Sequence, residues 1–182
     1  MDKLSTKRLV AAVGIATADS VELRGPEDFE LAVQRLGLPM IVKPATQGSS
    51  VGMSKVTRAE DLPAAYAAAA ATDDSVFAEA WITGGEYTVG ILQGVALPSI
   101  RIRTPGTFYD YEAKYFRDDT EYLCPSGLAP DVERHLAALA QGTFAAVGAE
   151  GWGRVDFMMD ASGRPLLLEI NTVPGMTDHS LV

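Results

Sequence analysis

Hydrophobic residues along the chain return at two spacings, one near 3.6 residues and one of two, and the switches between them mark out the expected elements. Ser5 is placed to cap a first helix running through Val13, and Gly14 ends it. Pro26-Glu27-Asp28 opens a second helix with Phe29, Val33 and Leu36 on one face, and Gly37 stops it. Met40-Ile41-Val42-Lys43-Pro44 is a short apolar strand broken by its proline, Gln47 to Gly52 is a loop of small residues, and Met53 to Val56 returns as a strand. Thr57-Arg58-Ala59-Glu60 has the form of a capping box ahead of an alanine-rich helix. Pro63 is tolerated only in a first turn, which moves the start of that helix a few residues on.

The second half changes character. Ser75 to Ala80 reads as a strand and Thr83-Gly84-Gly85 as a turn. Glu86 to Leu92 and Val95 to Ile102 follow as antiparallel strands about Gln93-Gly94. Thr104 to Ser126 lacks periodicity and reads as a long loop, of the kind that serves as a lid or binding segment. Pro130 to Gly148 is an amphipathic helix with Val132, Leu136, Leu139 and Val147 inward and His135 outward. Strands Gly153 to Met159 and Pro165 to Ile170 flank a turn at Asp160 to Gly163, and a loop runs on to Val182. Strands and helices do not alternate strictly, which argues against a doubly wound parallel sheet. The expected class is α/β in the α+β sense, with mixed, largely antiparallel sheets in two lobes, residues 1–83 and 84–182.

Composition narrows the range of partners. With 47% hydrophobic and 21% charged residues the chain has the profile of a soluble globular protein, and no run approaches the ~20 apolar residues of a membrane span. Met1 to Ser5 has no apolar core of the signal-peptide kind, so a cytoplasmic location is expected. The formal charge of −9 and the lack of a basic stripe argue against nucleic acid, though not against a nucleotide, which needs only a few placed lysines and a metal. Cys124 is the lone cysteine, so no intrachain disulfide forms, and it reads as a spectator.

Four groups carry candidate chemistry. In Arg154-Val155-Asp156 and Glu169-Ile170-Asn171 the outer members lie two apart and face the same way within a strand. If those strands pair, Asp156, Glu169 and Asn171 converge as an all-oxygen set beside an arginine, which suits a hard cation such as Mg²⁺. The bland alternative is a solvated strand end with a surface ion pair. Lys43 ends an apolar strand, and the loop Gly48-Ser49-Ser50-Val51-Gly52 that follows can turn backbone N–H groups toward phosphate oxygens. No Gly-Lys-Ser/Thr follows, so it is not a P-loop. Glu79, on an apolar strand, and Glu86, after a Gly-Gly turn, could take ribose hydroxyls; each alone reads more often as a surface residue. Tyr109 to Tyr115, with Lys114 among tyrosines, could close over a γ-phosphate and exclude water, or simply pack locally as a solvated loop.

These residues together resemble one family. Met40-Ile-Val-Lys-Pro, Gly48-Ser-Ser-Val-Gly-Met-Ser-Lys, Phe108-Tyr-Asp-Tyr-Glu-Ala-Lys-Tyr, Gly153-Arg-Val-Asp and Leu168-Glu-Ile-Asn-Thr-Val-Pro-Gly-Met-Thr are similar, in order and spacing, to the D-alanine–D-alanine ligases of the ATP-grasp fold. The resemblance spans essentially the whole chain. It implies two lobes enclosing a nucleotide cleft, and ATP-dependent joining of two D-alanines for peptidoglycan through an acyl phosphate. It further implies that Lys3 and Lys43 bind ATP phosphates, that Glu79 lines the lysine or adenine side and Glu86 the ribose, and that Lys114 reaches the γ-phosphate. Asp156, Glu169 and Asn171 would hold two Mg²⁺ ions, with Mn²⁺ as a substitute. Arg154 and the N–H of Gly175 would stabilise the oxyanion, Ser180 and Leu181 would receive the second substrate's carboxylate, and Ser49 and Tyr115 would join a network near the first D-alanine. Tyr115 resembles the dipeptide-forming type.

Members of the family carry a further N-terminal domain of roughly a hundred residues (the typical size of a domain) and a helix beyond the position of Val182. The resemblance therefore implies a piece that binds Mg-ATP with weak or absent ligase activity, from a protein that is a homodimer at full length. Two alternatives stay open. One is a D-alanine–D-lactate or other ATP-grasp carboxylate–amine ligase; the other is a non-catalytic nucleotide-binding module.

Overall fold

The structure, a computed structural model, describes residues 1–103 and 120–174. Its contacts divide the chain into two compact units. One contains residues 2–4 and 18–81, the other residues 1, 5–17 and those from 82 onward. Helix α1 (Lys3–Ala12) thus begins in the first unit and gives most of its length to the second. Ser5 lies inside this helix and not at its cap, because the helix starts two residues earlier.

The first unit is built on a four-stranded sheet of β1 (Ser20–Leu23), β2 (Met40–Pro44), β3 (Ser54–Val56) and β4 (Val76–Ala80), ordered β1-β4-β2-β3 with antiparallel neighbours. Helices α2 (Phe29–Leu36) and α3 (Leu62–Ala70) supply Ala32, Leu62, Ala65 and Ala69 to a core shared with Met40, Val42, Val56, Val76 and Ala78. Because strand side chains alternate, Ile41, Lys43, Phe77 and Glu79 fall on the other face of the same sheet. All five residues of β2 are nonetheless buried, so that second face is covered as well. Phe77 packs there with Leu4 and Ala45.

Two sequence expectations change in this unit. Strand β1 was not among the expected elements. Its four residues, Ser-Val-Glu-Leu, alternate too briefly to stand out, and pairing with β4 defines them. The capping box at Thr57 does not form: a 3-10 turn (Ala59–Asp61) intervenes, the α3 cap position is Asp61, and Arg58 bonds to Asp61 at 2.9 Å. Pro63 sits in the first turn of α3, as its missing N–H requires.

The second unit holds a six-stranded sheet in which β5 (Glu86–Leu92) is central. Its order is β10-β9-β5-β7-β8, with β6 (Val95–Ala96) also pairing with β5. Strand β7 is Ile100–Arg103, β8 Glu121–Leu123, β9 Trp152–Met159 and β10 Pro165–Asn171, and each ladder is antiparallel. Among the described residues the parallel pairing is the isolated bridge Thr17–Leu167. Helix α4 (Pro130–Ala146) lays Leu136, Ala140 and Phe144 on one sheet face, against Tyr87, Val89, Ile91, Val155, Phe157, Met159, Leu167 and Ile170, and Val10 and Ile15 join them. His135 points outward from α4, as its place on the helical period required. The Glu133 carboxylate in the first turn of α4 accepts hydrogen bonds from the Ser99 N–H at 2.7 Å and hydroxyl at 2.6 Å, tying the helix to the approach to β7.

The single strand expected over Val95 to Ile102 is two strands, since Pro98 has no N–H to give a ladder. Within the stretch read as loop from Thr104 to Ser126, Glu121–Leu123 is a strand paired with Arg101–Arg103. Three residues carry too little pattern to announce themselves, and the partner strand supplies the order.

Candidate functional site

Two clusters of charged side chains stand on the sheet faces turned away from the helical cores, one in each unit.

In the first unit the cluster begins with Lys43 and Glu79. Ile41 faces Glu79 in the β2–β4 register and Lys43 faces Phe77, so the two charged residues are diagonal neighbours on one face. They form an ion pair in which each side chain is 4% exposed, with the Lys43 ammonium also 5.6 Å from the centre of the Phe77 ring. Charges this deeply placed are tolerated because each has its counterion. Beyond Pro44 the chain is held by Asp73. Its Oδ2 accepts hydrogen bonds from the Thr46 N–H and hydroxyl, both at 2.6 Å, and its Oδ1 accepts from the Ser75 N–H at 3.0 Å. The Thr46 hydroxyl bond chiefly holds the Asp73 carboxyl below its ordinary value, with the two backbone donors and the Lys3 charge adding to the effect against desolvation. Gln47 donates its side-chain amide to the Thr72 carbonyl at 2.9 Å, and the Lys3 ammonium donates to the Gln47 carbonyl. The loop that follows turns tightly, with Val51 N–H bonded to the Gly48 carbonyl at 3.1 Å and the central residues Ser49 and Ser50 both left-handed, at φ 53° and 60°. Such φ values cost a non-glycine residue free energy and persist only where the surrounding contacts hold them.

In the second unit the cluster sits where β5, β9 and β10 run side by side. Thr88, Asp156 and Glu169 are cross-strand partners, and Asn171 pairs with Arg154 two residues along. The Asp156 carboxylate accepts four hydrogen bonds. Thr88 hydroxyl donates to Oδ1 at 2.6 Å, Arg154 Nε to Oδ1 at 2.8 Å, Arg154 Nη2 to Oδ2 at 2.9 Å and Asn171 Nδ2 to Oδ2 at 2.9 Å. Asp156 is 4% exposed, and a charge-assisted fork with Arg154 is what makes that burial affordable. Glu86, half-buried, lies two residues before Thr88 on the same face of β5, opposite Met158.

An irregularity in β10 makes this cluster possible. Between Leu167 and Glu169 the register shifts by one residue, so Leu167 faces Phe157 in the helical core while Glu169 faces Asp156 on the other side. In a regular strand, residues 167, 169 and 171 would share one face, and either the leucine would leave the core or the polar residues would enter it. The bulge at Leu168 satisfies both.

The structure thus brings Asp156, Glu169, Asn171 and Arg154 together in one unit with Glu86 nearby, and Lys43, Glu79, Lys3 and the Ser49 loop in the other. Lys114, Tyr115, Gly175, Ser180 and Leu181 lie outside the described residues. Sequence reading missed Thr88 and Asp73. Thr88 looks like an ordinary β-branched strand residue, and only its partner across the sheet gives it a role. Asp73-Asp74-Ser75 carried a turn signal that went unused. Among the described residues no three of His, Cys, Asp and Glu cluster as metal ligands. The donor set of the second unit is two carboxylates and an amide, an oxygen-only chemistry that fits a hard cation.

Two α+β units, each an antiparallel sheet with helices on one face and buried charge on the other, are the architecture of the ATP-grasp fold, and solved structures of that fold superpose on the chain. The D-Ala:D-Ser ligase VanG from Enterococcus faecalis matches with a TM-score of 0.85 at 30% identity, over 99% of this chain and 54% of that one. The D-alanine–D-alanine ligase of Bacillus anthracis matches with a TM-score of 0.85 at 34% identity, over 99% and 59%. Residues 9–182 match the family described as D-ala D-ala ligase C-terminus, and the chain belongs to it. It is 52% identical to the D-alanine–D-alanine ligase of Saccharophagus degradans over 100% of its own length and 58% of the relative's, and 54% identical to that of Halorhodospira halophila over 100% and 59%. The chain therefore spans somewhat under three-fifths of these relatives. No helix among the described residues is long and apolar enough to cross a membrane.

Proposed function

We propose that this chain supplies the Mg-ATP-binding and phosphoryl-transfer part of a ligase that joins two D-alanines. The observation that carries the reading is the facing of Asp156 and Glu169 across β9 and β10, with Asn171 and Arg154 beside them, on a sheet face of a chain of this family. In the reaction one D-alanine carboxylate oxygen attacks the γ-phosphorus of ATP and ADP leaves. The amine of the second D-alanine then attacks the acyl carbon of the acyl phosphate, loses a proton and expels inorganic phosphate.

Such a transfer asks for positioning and charge neutralisation more than for a nucleophile on the protein. Asp156, Glu169 and Asn171 would hold the divalent ions, two of them as Mg²⁺ or Mn²⁺, which supply charge neutralisation at the phosphates. Lys43 is fixed by Glu79 and cannot swing into solvent, so its ammonium is presented in one orientation to a phosphate oxygen. Lys3, anchored on the Gln47 carbonyl, brings a second positive charge to the start of the Gly48–Gly52 loop. The Ser49-Ser50 turn would direct backbone N–H groups at the same phosphates, with Ser49 joining Tyr115 near the first D-alanine. Glu86 would take the ribose hydroxyls. Arg154 would neutralise the tetrahedral oxyanion together with the Gly175 N–H, and Lys114 the γ-phosphate. Ser180 and Leu181 would receive the second carboxylate. We place residues 1–83 and 84–182 as the two lobes of the fold, save that residues 5–17 go with the second, and the whole protein as a cytoplasmic homodimer.

The likeness to a D-Ala:D-Ser ligase favours a second reading with another acceptor, D-serine or D-lactate in place of the second D-alanine. The 51–54% identity to D-alanine–D-alanine ligases, against 30% to that neighbour, favours D-alanine. The test is a thermal shift of this chain with Mg-ATP, followed by product analysis with D-alanine and each candidate acceptor. A rise in melting temperature that requires Mg²⁺, and D-alanyl-D-alanine as the product, are expected. No nucleotide-dependent shift, or an ester or mixed dipeptide as the main product, refutes the reading.

A further inference from the structure

Asp156 stands between two strands and receives hydrogen bonds from both its neighbours and its own. A carboxylate offers about four lone-pair directions. The Thr88 hydroxyl, the two Arg154 nitrogens and the Asn171 amide occupy them all. An incoming cation must therefore displace a donor. Arg154, whose side chain is 20% exposed, is a long chain able to yield, and Asn171 can present its oxygen by rotating its amide. Thr88 can do neither. It is fully buried on the central strand, with a β-branched side chain confined to few rotamers, and its hydroxyl lies 2.6 Å from Oδ1.

We propose that Thr88 is a positioning residue for the cation site: its buried hydroxyl fixes Asp156 Oδ1 and so sets the direction in which the rest of the carboxylate faces a divalent ion. This rests on the reading of Asp156 as a metal ligand. Partners of metal ligands orient them and hold their charge in place, and their loss costs about 10–100-fold in metal affinity. Arg154 would not take over this duty, since in the proposed reaction its guanidinium turns to the oxyanion. The hydroxyl alone carries the role.

The experiment titrates Mn²⁺, followed by its electron paramagnetic resonance signal, into this chain with ADP present. The variants are Thr88→Val, which keeps the shape, Thr88→Ser, which keeps the hydroxyl, and Asp156→Asn; melting temperatures are recorded without metal. Thr88→Val is expected to weaken Mn²⁺ binding about ten-fold and Thr88→Ser to retain it, whichever of the two melts lower. The proposal is overturned if Thr88→Val binds Mn²⁺ like the unsubstituted chain while Asp156→Asn does not. It is overturned equally if Thr88→Ser loses as much affinity as Thr88→Val, since packing would then be the cause. If Asp156→Asn leaves Mn²⁺ binding intact, or the unsubstituted chain binds none, the reading of the site itself fails and the proposal falls with it.

Discussion

Replacing Lys43 by Met keeps the length and apolar body of the side chain and removes its charge, which isolates what the ammonium does for the first unit. Lys43 and Glu79 are each 4% exposed, so both have given up hydration. Desolvation costs several kcal/mol per ion, and attraction at an effective dielectric near 20 returns ~4 kcal/mol at about 4 Å. The pair as a whole is thus close to neutral, whereas Glu79 stripped of its cation keeps the cost and loses the return. We expect Lys43→Met to destabilise by about 3–5 kcal/mol, a fall of about 2 M in the urea midpoint for a slope near 2 kcal/mol/M. Adding Glu79→Gln removes the buried carboxylate that Lys43 had neutralised, so the double variant should be more stable than Lys43→Met alone, with a coupling of ~2–3 kcal/mol in the cycle. Urea unfolding followed by circular dichroism measures all four proteins. If Lys43→Met unfolds within about 1 kcal/mol of the parent, or the two losses simply add, the pair does not hold its charges as argued.

Three further outcomes follow from other contacts. Asp73, held low by Thr46 and Ser75, contributes stability present above its unfolded value and lost as pH falls through its lower folded value; the melting-temperature gap between Asp73→Asn and the parent should be open at neutral pH and close on acidification below the ordinary value of 3.8, and a gap that widens in acid contradicts this. A Cβ at Gly84 would lie 1.9 Å from the Met159 carbonyl oxygen, backbone that cannot step aside, so Gly84→Ala should cost about 3 kcal/mol by calorimetry, and an unchanged melting temperature would show that the turn has room. Ser50→Gly relieves a left-handed φ of 60° and is expected to stabilise by ~1 kcal/mol in urea, and a midpoint that stays or falls refutes this.

Local chemistry in the chain was enough to place the helices and most strands. Pro26, Gly37, Pro63 and the apolar period of Pro130 to Gly148 each act within a turn or two of themselves, so their effect is written where they stand. The two-residue spacing of Arg154 with Asp156, and of Glu169 with Asn171, likewise determined which side chains share a face. Tertiary structure decided what spacing cannot express. The bulge at Leu168 depends on β9 opposing β10 with Phe157 on one side and Asp156 on the other, two demands that a regular strand cannot meet together. β1 and β8 exist because a neighbouring strand completes their hydrogen bonds, and Val10 and Ile15 join a core formed by residues far along the chain. Thr88 next to Asp156, 68 positions away, and Glu79 against Lys43 acquire their roles from sheet pairing. A single sequence reports the preferences of each residue; which groups lose water together, and therefore which charges need a partner, is settled only when the sheets close.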